Sequence, residues 1–64
     1  MRYDIQKALE NNGYSSKKEY FEYLADTYDA PLHIVKMIAD LLGDDELFDG
    51  LVSELDDGMW RELL

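Results

Sequence analysis

The apolar positions of residues 31–42, PLHIVKMIADLL, set the pattern for the rest of the chain. On a helix of about 100° per residue, Leu32, Ile34, Val35, Met37, Ile38, Ala39, Leu41 and Leu42 cover more than half the circumference. Only His33, Lys36 and Asp40 share a polar stripe. A helix that is apolar on most sides must be packed on most sides. Residues 31–42 are therefore expected to form the central helix of an all-α bundle of about four short helices.

The flanking segments carry narrower stripes. Residues 2–12 predict helix one, with Met1, Ile5, Ala8, Leu9 and Asn12 on one side, Gly13 as a left-handed cap and Tyr14 folding back. Helix two opens at Ser16, which has capping-box spacing to Glu19. Its apolar face is Tyr20, Phe21, Leu24, Ala25 and Tyr28, with Tyr23 at the edge. Asp29-Ala30-Pro31 breaks the chain, because Ala30 precedes a proline and Pro31 suits the first position of helix three. Gly43 is the expected left-handed end of that helix.

Helix four is expected to start from an Asp44 cap, with Asp45 and Glu46 in its first turn. Leu47, Phe48, Leu51, Val52 and Leu55 form its apolar face, and Gly50 its solvent side. Asp56-Asp57-Gly58 ends it. Residues 1–58 are thus read as one helical domain. Residues 59–64, MWRELL, form a short apolar tail that either docks or offers Trp60, Leu63 and Leu64 to a partner. No segment alternates with period two, so no sheet is expected.

Charge changes this picture. Of the net −9, residues 1–39 hold six acids and five bases (−1), and residues 40–64 hold nine acids and one base (−8). Such a field attracts basic partners and disfavours direct binding to nucleic acid or anionic membrane. No apolar run approaches the roughly 20 residues of a membrane span, and the first residues lack a signal-peptide core. The chain has no cysteine, which excludes disulfides and thiolate sites and fits a cytoplasmic setting.

Candidate chemistry is sparse. Residues 24–38 resemble a helix-turn-helix motif in their packing positions, with Ala25 where the helices touch and Asp29 in place of the usual turn glycine. A recognition helix built this way would offer DNA only His33, Lys36, Met37 and Asp40. Asp45, Asp49, Gly50 and Asp56 fall at calcium-loop positions, but Leu47 stands where an oxygen ligand is needed. The only histidine, His33, has no nucleophile beside it, so no catalysis, metal or cofactor is expected. Asp45, Asp49, Asp56 and Asp57 would line the outer face of helix four, rising about 6 Å per four residues, which suggests a DNA mimic. Tyr23, Met37, Leu41, Trp60, Leu63 and Leu64 are the apolar residues most exposed to a partner or to a second copy of the chain.

The segments YFEYLADTYDAP, IADLLG and ELFDGLVSELDD resemble small, uncharacterised acidic helical proteins of phages and conjugative elements of Firmicutes. The resemblance implies a mobile-element accessory protein. Together with the residues, it leads to a non-enzymatic, acidic protein-interaction or regulatory module whose partner is a basic or nucleic-acid-binding protein. The alternatives are a DNA-mimic inhibitor and a helix-turn-helix regulator, and a homodimer is an alternative assembly.

Overall fold

A computed structural model of the protein describes residues 4–63. Four α-helices follow one another: α1 (Ile5–Asn11), α2 (Lys17–Tyr28), α3 (Leu32–Leu42) and α4 (Gly50–Asp57). Two 3₁₀ turns complete the chain, one at Asp44–Glu46 and a C-terminal one at Met59–Leu63. No strand occurs among the described residues, and the all-α class follows the periodicity of the sequence.

The first two helices start on side-chain caps. The Asp4 carboxylate accepts the Lys7 amide at 3.1 Å, which places Asp4 outside α1. The apolar role expected of Met1 lies outside the described residues. Ser16 caps α2 by accepting the Glu19 amide at 3.3 Å. The Glu19 carboxylate, however, accepts the Ser15 hydroxyl at 2.7 Å.

Both helices end on the same paired bonds. After α1, the Tyr14 amide donates to the Leu9 carbonyl at 2.9 Å and the Gly13 amide to Glu10 at 3.1 Å. After α2, the Ala30 amide donates to Ala25 at 2.9 Å and the Asp29 amide to Asp26 at 3.4 Å. This is the Schellman arrangement, which needs a left-handed residue at the pivot. Gly13 supplies it in the first case and Asp29 (φ 54°, ψ 42°) in the second. Aspartate tolerates that conformation better than most residues. Ala30 is buried beyond the turn, and Pro31 (φ −61°, ψ 141°) precedes α3 as its cap instead of forming its first residue. The Pro31 carbonyl accepts the Ile34 and Val35 amides at 3.0 and 3.2 Å.

α3 packs against α2, α4 and the first 3₁₀ turn, so it is the central helix that its composition predicts. Ile34, Val35, Ile38 and Ala39 are buried along it. Burying one large apolar side chain contributes about 1.5–3 kcal/mol relative to leaving it in water. α3 ends at Gly43 with φ 91° and ψ 167°, an extended region open essentially only to glycine, and not the left-handed helical cap expected there.

Helix four departs from its expected course. Asp44 does not cap it. Instead the chain turns at Asp44–Glu46, and α4 starts six residues later, at Gly50. Leu47 is buried ahead of the helix, and its carbonyl accepts the buried Tyr20 hydroxyl at 2.6 Å. A helix running on from Asp44 would use that acceptor internally. Asp44 pairs with Lys17 at 2.7 Å instead. Gly50 is not on an open solvent side either. A Cβ added there would lie 2.8 Å from a Glu46 carboxylate oxygen and 3.4 Å from Leu42 Cδ1. Gly58 (φ 79°) ends α4, after Asp57.

Of the two courses expected of the apolar tail, Met59–Leu63 takes the docked one. Trp60 is buried in the core, and its indole N–H donates to the Leu55 carbonyl at 2.9 Å. The Arg61 guanidinium lies over its ring at 5.3 Å. No helix among the described residues is long and apolar enough to cross a membrane.

Candidate functional site

Among the described residues, the large exposed apolar side chains fall into two places. The larger is a groove of about 470 Å³ between α3 and the C-terminal turn. Its α3 wall presents Met37 and Leu41, one helical turn apart, and its other wall presents Met59 and Leu63. These side chains are 39% (Met37), 79% (Leu41), 62% (Met59) and 61% (Leu63) exposed. Buried Ile38 and Trp60 also line it, and Glu54 and Glu62 bring carboxylates to the same groove. The groove exists because Gly58 reverses the chain after α4 and Trp60 then pins the turn back onto the bundle.

Of the apolar residues that the sequence singles out, Met37, Leu41, Trp60 and Leu63 line this one groove, Trp60 as a buried core anchor. Leu64 lies outside the described residues. Met59, directly after Gly58, also stands exposed on the groove, although the sequence pattern does not single it out.

Tyr23 belongs elsewhere. It stands half-exposed beside a hollow of about 290 Å³ formed by the end of α1, by α2 and by α4. This hollow is walled by rings. Tyr14 lies 4.8 Å from Tyr20 and 5.7 Å from Tyr23, and Phe48 stacks on Tyr20 at 4.6 Å. Burial pushes the Tyr20 phenol up to about 12, helped by the nearby Tyr14, Tyr28 and Asp49. The Tyr14 phenol is also raised, first by burial and then by Tyr23 and Glu19.

The acidic residues do not form one ruler. Asp45 sits in the 3₁₀ turn, Asp49 just before α4, and Asp56 and Asp57 in its last turn. All four are exposed. Asp49, Asp56 and Asp57 keep a helical relation, about two turns from first to last; the regular rise from Asp45 onward is lost because α4 starts late. The calcium-loop register fails too, since Leu47 is a core residue and Asp56 is helical. Among the described residues no group of three or more His, Cys, Asp or Glu side chains could hold a metal ion.

α2 and α3 pack across the Asp29–Pro31 turn, as a helix-turn-helix pair would. His33, Lys36 and Asp40 are all exposed on α3, on the stripe that sequence assigns them. That stripe carries one fixed positive charge and one negative charge, so it offers phosphate no net attraction. No protein-family model, curated protein or solved structure matches this chain.

Proposed function

We propose that this chain is a non-enzymatic protein-interaction module, a cytoplasmic accessory protein of a mobile element, whose working surface is the groove between α3 and the C-terminal turn. One observation carries the reading: four large apolar side chains, Met37, Leu41, Met59 and Leu63, stay in water together on one groove. Scattered surface leucines need no explanation, but a contiguous apolar set marks a contact surface. The set stands beside a formed core, in which thirteen apolar residues are buried among the described residues. Buried side-chain nitrogens and oxygens among the described residues all have partners.

The test is a capture experiment with immobilised wild-type protein and Leu41→Glu in lysate of a Firmicutes host, washed at low and high salt. A protein held by the wild type through high salt and lost from Leu41→Glu supports the reading. A DNA-binding protein released by salt and held equally by Leu41→Glu would replace it with the DNA-mimic alternative, carried by Asp45, Asp49, Asp56 and Asp57. Specific capture by neither form would overturn the interaction reading.

A further inference from the structure

We infer that the groove receives the apolar face of a basic amphipathic helix from a partner protein, an assignment that rests on the interaction-module reading. The walls are helical and the described residues contain no strand, so there is no sheet edge to which a partner could add. Of the recurring modes of peptide recognition, a helix laid in an apolar groove is the one this surface supports. Met37 and Leu41 stand four residues apart on one wall, the spacing at which a facing helix interleaves its own apolar side chains. Two of the four exposed apolar residues are methionines, whose flexible, polarisable chains adapt to differently shaped anchors.

Charge selects the sign of the partner. Glu54 and Glu62 line the groove, and residues 40–64 carry a net charge of −8, from nine acids and one base. The base in that stretch, Arg61, lies over the Trp60 ring. A partner helix flanked by lysine or arginine gains from this field in rate and specificity. A second copy of this chain would bring the same negative surface against itself, so charge disfavours self-docking here.

Fluorescence tests the inference, because Trp60 is the only tryptophan and lines the groove. Three tryptophan-free peptides serve as probes: a Leu/Lys helix with leucines at i, i+3, i+4 and i+7, a scrambled Leu/Lys peptide of the same composition, and a Leu/Glu helix with the first pattern. The amphipathic Leu/Lys helix should shift Trp60 emission saturably, and the other two should not. Leu41→Glu adds negative charge, so pure charge attraction would strengthen binding of the Leu/Lys helix. The groove instead predicts a loss of about tenfold or more. Glu54→Gln with Glu62→Gln should weaken binding about two- to fivefold, and more than Asp45→Asn with Asp49→Asn does.

Equal binding of the scrambled peptide would overturn the inference in favour of unspecific charge. Binding of the Leu/Glu helix would overturn the basic partner while leaving an apolar interaction module intact. No binding of any peptide would overturn the helix mode; the lysate capture decides the module separately. A concentration-dependent dimer in sedimentation that Leu41→Glu returns to monomer would show that a second copy fills the groove, and would likewise overturn the inference.

Discussion

The two hollows of this molecule are built from opposite materials. Between α2 and α4, the Tyr20 ring lies within 5 Å of both Tyr14, which is tilted against it, and Phe48, which stacks on it, and a buried hydroxyl bond to Leu47 fixes Tyr20. Between α3 and the C-terminal turn, thioether and isobutyl groups stand in water with only the groove floor buried. Rings with few rotatable bonds and a satisfied polar tip fill space and hold helices together. Flexible aliphatic chains left exposed do neither until something covers them. The difference teaches that the two hollows differ less in depth than in how much apolar surface each leaves in water.

The largest test falls where the groove becomes core. Ile38→Asp places a charge on the buried floor and should cost about 3–5 kcal/mol, enough to remove the helical circular dichroism signal of so small a domain at room temperature. A folded variant would mean that α3 is not the centre of the bundle.

Tyr20→Phe probes the aromatic hollow and should cost about 1–2 kcal/mol in urea unfolding, since Leu47 keeps a buried carbonyl without its donor. The effect depends on pH with a definite sign. The folded phenol titrates near 12, above its ordinary value of 10. The folded state thus holds the proton more tightly, and this stabilisation is complete below about pH 10 and lost as pH rises through about 12. The advantage of wild type over Tyr20→Phe should therefore shrink across that window. An advantage unchanged up to pH 12 would rule out the buried hydroxyl as its source.

At the groove rim, Leu41→Glu should change stability by no more than about 0.5 kcal/mol, because Leu41 is 79% exposed. A larger loss would make the rim part of the core and erase the contrast between the hollows. The smallest effect is expected at the Lys17–Asp44 ion pair, whose side chains are 44% and 47% exposed. Lys17→Ala should cost less than about 1 kcal/mol, and still less at high salt.

Local signals made the first half of the chain legible. Ser16, Gly13 and the Asp29-Ala30-Pro31 break act on neighbours within a few residues, and they sit where the pattern puts them. Helix four departs from the pattern because the same local logic favours Asp44, Asp45 and Glu46 as a helix start. What shapes that region comes from afar: the Tyr20 hydroxyl and the Lys17 ammonium, each 27 residues away. The groove's exposed lining is partly legible in the sequence, since Met37, Leu41 and Leu63 all fall on it. Hydrophobicity alone groups Tyr23 with them, and it carries no information about which side of a bundle a residue occupies.

The Tyr20–Leu47 bond has a consequence for the order of folding. Apart from α2 against α4, the packed helices and turns follow one another closely along the chain, and such topologies fold in microseconds to milliseconds. The Tyr20 hydroxyl instead closes a loop of 27 residues, which must wait until α3 and the following turn are in place. It should therefore form after the rate-limiting step. Its loss would leave the folding limb of a chevron plot unmoved and raise the unfolding rate about 5- to 30-fold. In that sense the bond works as a latch: it sets how long the folded state lasts, and not how quickly it is reached.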